Sequence, residues 1–319
     1  MDDDDAARVV SLAFAEQVLP NPVAVKTPAI PKWGGILARR VEAALTDHAG
    51  PFRLHVIHAD GDDDAERTLT RSVDTAIQEA LPKALARRRV LQHAACPTDD
   101  ELFIQVLLTS PRTGLFSVCT PAQRTTLRRC LSRFPAGQIA VPEDERPPSR
   151  AFMKVLQAEL HLGRSMKAGE TAVDLGACPG GWSYVAVQRG MTVVAVDRTP
   201  LREDLMANAA LTFIRGDAFK WRPPAPVDWL LCDVIAFPER TLEMLKDWLG
   251  ARLCRRLVVT VKFKGEADYP TLEHVKKLLK SNTREWCIRH LPTNRNEVTV
   301  IAECAAPEGC WGPKAHQGG

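Results

Sequence analysis

The chain has 319 residues, 45% of them hydrophobic and 25% charged, and this composition excludes an intrinsically disordered or fibrous protein. Its length predicts two domains. No apolar run reaches the roughly 18 to 20 residues of a membrane helix, and the acidic start Met1–Asp5 differs from a basic targeting peptide. Nine cysteines without a C-x-x-C pair fit neither a disulfide framework nor a zinc ribbon. We therefore expect no bound metal, no membrane association and a reducing, cytoplasmic location.

The net charge of +3 is an average over unlike segments. Residues 1–148 contain 18 Lys and Arg against 20 Asp and Glu, whereas residues 149–319 contain 24 against 19. Eight acids of the first part are concentrated in Asp2–Asp5 and in a second run, Asp60 with Asp62–Asp64. Outside these runs the first part is basic, so the small net charge does not argue against a polyanionic partner. It leaves the oligomeric state open.

The first part of the chain has a mixed α/β pattern. Phe52–Ile57 alternates apolar and polar residues as a half-buried strand does, and apolar residues at helical spacing predict a helix over 66–90. Leu102–Leu108 is a second strand, and Leu115–Cys119 is a third. Arg87–Arg89 closes the predicted helix, and four further arginines follow on the next helix, namely Arg124, Arg128, Arg129 and Arg133. They are compatible either with helix-dipole stabilisation or with a surface that contacts phosphate.

A charged, Pro-rich linker over residues 141–148 predicts a domain boundary at residue 148. After it, strands and helices alternate as in a parallel sheet that is covered by helices on both faces. The predicted strands are Thr171–Leu175, Thr192–Val196, Leu211–Ile214, Val227–Cys232 and Leu257–Val261. Glu297–Ile301 adds a late strand that is compatible with an antiparallel orientation, and residues 305–319 resemble a loose tail.

The central motif runs from Asp174 to Trp182 as D-L-G-A-C-P-G-G-W, directly after the first of these strands. Glycines at a strand-to-helix turn allow a ligand to approach the backbone closely. Asp197 ends the next strand, where a carboxylate can accept hydrogen bonds from ribose hydroxyls, and Asp217 could meet an adenine amino group. Each of the three acids, Asp174, Asp197 and Asp217, follows a strand. All three are therefore expected at one edge of the sheet, where α/β proteins bind ligands.

This pattern resembles the S-adenosylmethionine site of the FtsJ-type RNA ribose methyltransferases. The resemblance implies S-adenosylmethionine as the cofactor and, matched residue by residue, a set of cofactor-binding positions. These are Ser149, Asp174, Gly176, Cys178, Pro179, Gly180, Gly181, Trp182, Asp197, Asp217 and Asp233. The alternative is a Gly-rich turn in another Rossmann-like enzyme, and Cys178 is more typical of a small packing residue than of a nucleophile.

The resemblance also implies a catalytic Lys-Asp-Lys-Glu set, which this sequence offers in order as Lys154, Asp233, Lys262 and Glu297. Methylation of a ribose hydroxyl needs a base, and a lysine is a base only when its pKa is lowered. A second ammonium favours the neutral amine, whereas a carboxylate opposes it but fixes its orientation. We therefore expect Lys262 to be the general base and Lys154 to hold its pKa down.

One ambiguity concerns Lys264, which lies two residues after Lys262 and would share its face on a continuing strand. Lys262 is preferred because the segment V-K-x-x-G-E matches the strand end of the family. Lys264 is then a candidate for a phosphate contact.

Within this group the sequence is most similar to the large-subunit rRNA methyltransferase M family over residues 147–303. That implies an α/β fold with a Rossmann-like class I methyltransferase domain over 149–304, preceded by a smaller α/β THUMP-like RNA-binding domain over 1–148. The family's amino-terminal subdomain would be shortened here, with residues 7–48 as its remnant. The implied substrate is a cytidine ribose of large-subunit rRNA. Alternatives are a non-catalytic RNA-binding assembly factor that retains the fold, or a 2′-O-methyltransferase of tRNA or an mRNA cap.

Overall fold

A computed structural model describes residues 13–58, 63–90, 100–127, 130–137, 139 and 141–305. Contacts within the chain divide it into two compact units, Met1–Ile139 (unit 1) and Ala140–Gly319 (unit 2). The boundary at residue 148 stays a prediction. Several predicted features lie outside the described residues, namely the run Asp2–Asp5, Asp60 and Asp62, the pair Arg128 and Arg129, and the tail after residue 305.

In its described residues, unit 1 contains one mixed sheet of five strands. Its strands are β1 (Val23–Lys26), β2 (Phe52–His58), β3 (Arg89–Val90), β4 (Leu102–Ser110) and β5 (Thr113–Cys119). Its helices are α1 (Trp33–Ala44), α2 (Asp64–Ala80), α3 (Lys83–Ala86) and α4 (Pro121–Leu127), with 3₁₀ turns at Ile30–Lys32 and Pro135–Gly137. The strand order is β1-β5-β4-β2-β3, in which β2 runs parallel to β3 and β4, and β5 runs antiparallel to β1 and β4.

The core of unit 1 lies between this sheet and the helices α1 and α2. Trp33, Leu37 and Val41 recur every four residues and form the fully buried stripe of α1. They pack in one cluster with Ile77 of α2 and Leu54 of β2. The three strands predicted for unit 1 are therefore present. The elements β1, α1 and β3 were not predicted.

The helix predicted over residues 66–90 is wrong at its carboxyl end. The helix α2 ends at Ala80, and Leu81 is extended, with φ −72° and ψ 140°. The reason is Pro82, because the proline ring disfavours the helical conformation of the residue before it. The chain then forms the single turn α3 and pairs as β3.

Three of the arginines that the sequence analysis singled out are bound within unit 1 itself. Arg88 donates a hydrogen bond to the carbonyl of Gly50 at 3.1 Å, and Arg89 pairs with the carboxylate of Asp74. Arg124 donates to the backbone carbonyl that precedes β4, at 3.3 Å. These three guanidinium groups stabilise loops and strands within the unit, a use that the sequence pattern did not predict.

Over residues 141–305, unit 2 is built on a seven-stranded sheet. Its strands are β6 (Thr171–Leu175), β7 (Thr192–Asp197), β8 (Leu211–Arg215), β9 (Val227–Cys232), β10 (Cys254–Lys262), β11 (Thr283–Arg289) and β12 (Glu297–Cys304). Its helices are α5 (Phe152–Leu162), α6 (Gly181–Gln188), α7 (Glu203–Met206), α8 (Pro238–Gly250) and α9 (Thr271–Asn282), with a 3₁₀ turn at Glu266–Asp268. The strand order is β11-β12-β10-β9-β6-β7-β8.

The parallel sheet expected for this part of the chain is confirmed. The strands β6 to β10 pair in parallel, and β12 runs antiparallel to both β10 and β11. The sheet is buried on both faces. Ala172 and Trp229 belong to a cluster with α5 and α6, and the next residues, Val173 and Leu230, which point to the other face, are equally buried. The edge strand β11 was not predicted, and its polar composition, T-R-E-W-C-I-R, is typical of an exposed edge.

This topology gathers the carboxyl ends of β6, β7, β8, β9 and β10 along one edge of the sheet. The edge is where α/β folds of this kind bind ligands, and it carries the predicted acids. None of the helices in the described parts of the chain combines the length and apolarity of a membrane span.

A close approach between α1 and α2 provides a test of the unit 1 core. A methyl group at Gly34 would lie 2.5 Å from the backbone oxygen of Ala76, whereas one at Gly35 would meet nothing nearer than 3.8 Å. We expect Gly34→Ala to lower the free energy of unfolding by about 1–3 kcal/mol. The matched Gly35→Ala should raise it by up to about 1 kcal/mol, because alanine favours a helix. Urea unfolding of both variants measures this, and equal stabilities would contradict the packing.

Candidate active site

The Gly-rich turn lies between β6 and α6 and has a backbone that side chains would disrupt. Gly176 has a φ of +74° and Gly180 a φ of +111°, both in the region that favours glycine. A methyl group at Gly176 would clash with the side chain of Val234, and one at Gly180 with Leu205. The two glycines therefore allow Val234 and Leu205 to pack directly against the turn. The Cys178–Pro179 peptide bond within it is cis.

The start of α6 is packed closely against the segment that leads into α5. A methyl group at Gly181 would clash with the hydroxyl of Ser149, so Ser149 lies directly at the turn. The buried Trp182 donates from its indole Nε1 to the carbonyl of Ala151 at 2.8 Å. Trp182 thus serves to join α5 and α6 through packing, and a contact of its ring with a cofactor stays a prediction.

Asp197 and Asp217 follow neighbouring strands, as the sequence predicted, and lie on one cavity of about 220 Å³. Asp197 accepts hydrogen bonds from the backbone N–H groups of Cys178, at 3.0 Å, and Thr199, at 2.9 Å. The walls of the cavity also include Gly176. Asp197 therefore links the Gly-rich turn to the end of β7 and presents its carboxylate to the cavity.

Two arginines that the sequence analysis missed lie beside Asp217. Asp217 accepts a hydrogen bond from the backbone N–H of Phe219 at 2.9 Å and pairs with Arg198 at 3.1 Å and Arg240 at 3.2 Å. The Phe219 hydrogen bond and the two guanidinium groups hold the pKa of Asp217 below its usual range. Arg240 also lies over the Phe219 ring, 4.2 Å from its centroid. No sequence signal pointed to Arg240, because it comes from a helix beyond the motif.

The structure places Asp174 differently from the other acids. Its carboxyl group is buried in unit 2, where it accepts a hydrogen bond from the Ser183 hydroxyl at 2.7 Å, and it lines neither the 220 Å³ cavity nor the larger cavity described below. Burial raises the pKa of Asp174 to about 7, against the opposing hydrogen bonds from Ser183. Its hydrogen bond with Ser183 joins β6 to α6, on either side of the Gly-rich turn. Direct contact of Asp174 with a cofactor stays a prediction.

The four residues of the predicted catalytic set converge on one point. Asp233, directly after β9, contacts Lys154 of α5 at 3.1 Å and Lys262 of β10 at 2.7 Å. Glu297 contacts the same two ammonium groups at 2.5 Å and 2.9 Å. The antiparallel register places Lys262 opposite Glu297, so the pairing of β10 with β12 delivers half of the cluster. Two ammonium groups and two carboxylates thus alternate in a closed ring.

The electrostatics of this ring differ from the expectation. Burial disfavours the charged form of Lys262, but the carboxylates of Asp233 and Glu297 outweigh burial and raise the pKa of Lys262 above its ordinary value. The expectation of a lowered pKa for Lys262 is therefore wrong for this arrangement. The reason is that two carboxylates lie within 2.9 Å of its Nζ.

The structure also separates the two candidate lysines. The strand β10 ends at Lys262, so the alternation that would give Lys264 the same face does not continue. Lys264 is exposed, and its Nζ lies 3.9 Å from the centroid of the Phe237 ring. Only Lys262 of the two joins the ring with Asp233 and Glu297.

Three members of the ring, Lys154, Lys262 and Glu297, line a cavity of about 1020 Å³ that belongs entirely to unit 2. Its walls also carry Ile235 and Phe237, two exposed apolar residues that the sequence analysis did not single out. Among the described residues, no group of three or more histidine, cysteine, aspartate or glutamate side chains is placed to hold a metal ion.

The buried Asp174 gives a pH-dependence that can be measured. Its folded-state pKa of about 7 exceeds the value of about 3.9 in an unfolded chain, so its contribution to stability is lost as the pH rises from 4 to 7. We expect Asp174→Asn to gain up to about 4 kcal/mol over the wild type between pH 4 and pH 8. Urea unfolding at several pH values measures the difference, with the exposed Asp204→Asn as control. Parallel stability curves for wild type and Asp174→Asn would contradict the burial of this carboxyl.

Comparison with known proteins agrees with this geometry. Residues 147–283 match the model of the FtsJ-like methyltransferase family. The chain is 32% identical over 230 residues to a ribosomal RNA large subunit methyltransferase M of Thauera aminoaromatica, and the match covers 70% of this chain and 62% of that protein.

Two further relatives carry the same name. The protein of Pseudomonas putida (strain GB-1) is 32% identical over 250 residues, which cover 73% of this chain and 65% of the relative. That of Marinobacter nauticus is 29% identical over 283 residues, which cover 85% and 72%. The chain thus spans less than two thirds of the length of the first two relatives. Residues 147–283, which match the FtsJ-like methyltransferase family, contain the Gly-rich turn and three of the four ring residues.

Proposed function

We propose that the protein transfers a methyl group from S-adenosylmethionine to a ribose 2′-hydroxyl of large-subunit rRNA. The observation that carries the proposal is the ring of Lys154, Asp233, Lys262 and Glu297, closed at 2.5–3.1 Å next to the Gly-rich turn. The similarity to proteins named ribosomal RNA large subunit methyltransferase M supports the substrate class.

The residues at the sheet edge fit the proposed cofactor. The carboxylate of Asp197 has acceptor capacity beyond its two backbone hydrogen bonds, which suits ribose hydroxyls, and Asp217 suits an amino group. Gly176 lines the 220 Å³ cavity without a side chain, and Ser149 lies at the start of α6. S-adenosylmethionine supplies an electrophilic methyl group on a sulfonium sulfur. The full set of cofactor-binding positions named in the sequence analysis is part of this proposal.

The ring supplies the base. Lys262 as a neutral amine accepts the proton of the attacking hydroxyl at Nζ, while Asp233 and Glu297 fix the direction of that Nζ. Lys154 balances the two carboxylates, so that Lys262 is not held between two uncompensated negative charges. Because the pKa of Lys262 is raised, the neutral amine needs added positive charge nearby. A cationic ligand at the adjacent Gly-rich turn provides charge of that sign.

Unit 1 is proposed to dock the RNA. We retain the interpretation of residues 1–148 as a THUMP-like domain before a methyltransferase domain over 149–304, supported by the mixed sheet with two packed helices. RNA helices are recognised through shape, 2′-hydroxyls and phosphates, so a modest number of exposed cations suffices. A cytoplasmic location follows from this substrate as part of the same proposal.

A second candidate is a non-catalytic RNA-binding factor that keeps the fold. The raised pKa of Lys262 favours it, because a purely structural ion-pair network would show the same shift. Transfer to tRNA or to an mRNA cap is a third possibility that the mapping of methylated nucleotides distinguishes.

Removal of Lys262 tests the catalytic proposal. We expect Lys262→Ala to lower kcat for methyl transfer by about 10²–10⁴-fold, the contribution of a general base. The assay uses labelled S-adenosylmethionine and unmodified large-subunit rRNA transcribed in vitro, followed by mapping of 2′-O-methyl groups. Lys280→Ala, an exposed lysine of α9, is the control.

The outcomes separate the candidates. If the wild type binds both ligands but methylates no RNA, the non-catalytic factor is supported and the enzyme proposal fails. If Lys264→Ala is inactive while Lys262→Ala is active, the assignment of the base is reversed.

Cofactor binding has an independent test in Asp197. We expect Asp197→Ala to raise the Kd for S-adenosylhomocysteine by about 10- to 100-fold, since hydrogen bonds to a charged acceptor contribute about 1.5–3 kcal/mol. Isothermal titration calorimetry measures this without any methyl transfer. Asp204→Ala, an exposed acid on α7, is the matched control, and an unchanged Kd in Asp197→Ala would contradict the assignment.

A further inference from the structure

The catalytic ring lies in a recess and is not displayed on an open surface. The side chains of Lys154, Lys262 and Glu297 are only 7%, 20% and 9% exposed. They line the cavity of about 1020 Å³, which is at the upper end of the range for sites that enclose a small ligand. A hydroxyl that reaches Lys262 must therefore be carried into the cavity by a group small enough to enter it. A single nucleotide meets this requirement, whereas a nucleotide fixed within a double helix does not.

Two apolar side chains stand at the wall of this cavity without cover. Ile235 is 90% exposed and Phe237 is 55% exposed, the highest values for large hydrophobic residues in the described parts of the chain. Both follow Asp233 within four residues, on the short segment between β9 and α8. Exposed apolar surface at a cavity is unfavourable in water and marks a place where a ligand binds.

The Phe237 ring is held by its neighbours. The ammonium of Lys264 lies 3.9 Å from the ring centroid, within the range of a cation–π interaction. The backbone N–H of Lys264 donates to Asp268 at 2.7 Å, and Phe263 N–H donates to the carbonyl of Asn296 at 2.9 Å. The backbone of Lys264 is thus anchored, and its ammonium group holds the phenyl ring of Phe237 in a defined position.

The charges around the cavity suit a phosphate backbone. The charged side chains that line it outside the ring are all cationic, namely Arg150, Arg240, Lys264 and Arg295. Arg150 is paired with Glu143, but both side chains are 82% exposed, so the pair is weak. Arg295 is exposed. Arg240 is paired with Asp217, which leaves Lys264 and Arg295 as the cations without a carboxylate partner among the described residues. An aromatic side chain beside such cations is the combination by which proteins bind single-stranded nucleic acids, through base stacking and phosphate contacts together.

We propose that Ile235 and Phe237 form a stacking platform for a base of an unpaired nucleotide, and that this platform brings the target ribose to the catalytic ring. The proposal rests on the proposed function in taking RNA as the substrate, and it deepens it by specifying a nucleotide that is single-stranded or extruded from its helix. Lys264 and Arg295 then contact the flanking phosphates. The segment after Asp233 thus selects the structural state of the substrate, while Asp233 itself belongs to the ring.

The test compares single-stranded with paired RNA. A fluorescein-labelled 12-nucleotide RNA of mixed sequence, alone or annealed to its complement, is titrated with the full chain and followed by fluorescence anisotropy. We expect Phe237→Ala to weaken binding of the single strand by about tenfold, the size of one base–aromatic stacking contact, and to leave binding of the duplex unchanged. Phe237→Trp should retain the affinity, and Ile235→Ala should weaken it in the same direction.

Salt and position provide controls. Phe237→Ala should leave the dependence of affinity on salt concentration unchanged, whereas Arg295→Ala should reduce that slope by about one phosphate contact. Met206→Ala removes an apolar side chain that is 39% exposed and lines neither cavity, so its affinity should equal that of the wild type. Thermal unfolding of each variant checks that the fold is kept.

The outcomes distinguish this proposal from the proposed function. Equal affinities of the wild type, Phe237→Ala and Ile235→Ala for the single strand overturn the platform, as does an equal loss for the duplex. If Phe237→Ala methylates rRNA at the wild-type rate, the platform is wrong and the enzyme proposal stands. If Phe237 supports binding of single strands but no methyl group is transferred, the platform stands and the enzyme proposal fails.

Discussion

The ring of two ammonium groups and two carboxylates is the interaction on which the architecture of unit 2 depends. Charges this deeply placed are costly to desolvate, and they are tolerated only when each one has partners of opposite sign. Each carboxylate here contacts both ammonium groups, so removal of any member leaves an uncompensated charge. Such a loss costs about 3–5 kcal/mol in buried pairs. The ring is therefore a structural constraint whatever chemistry it performs, and its four members must come from segments that the fold brings together.

The reversed strand β12 satisfies this constraint. In a fully parallel sheet the start of a strand lies at the edge opposite to its neighbours' ends, and Glu297 would be a full strand length from Lys262. Because β12 runs antiparallel, its first residue lies opposite the last residue of β10. The edge that carries the Gly-rich turn thus also receives Glu297. The orientation of one strand places the second carboxylate beside the first and completes the charge balance.

The sequence predicted the parts of this site that depend on local pattern. Apolar runs located β6 to β10, and positive φ angles occur at Gly176 and Gly180 in the motif. Features that depend on distant contacts were not predictable. The direction of the Lys262 pKa shift required the distances to both carboxylates, which no spacing along the chain gives. The separation of Lys262 from Lys264 depends on where β10 stops, which is set by its neighbours. The end of α2 before Pro82 could be predicted from the proline, but the helical spacing of apolar residues on both sides of Pro82 suggested a continuous helix.

The segment after β9 carries an ion-paired carboxylate and two exposed apolar side chains within a few residues. Asp233 lies between two ammonium groups in the ring, whereas Ile235 and Phe237 are left in contact with water. Two ion pairs thus fix the start of the loop that carries these exposed apolar residues. Covering them with a ligand then removes apolar surface from water at the cavity that the ring also lines. A ligand that covers Ile235 and Phe237 therefore gains its binding free energy in the same cavity as the Nζ of Lys262.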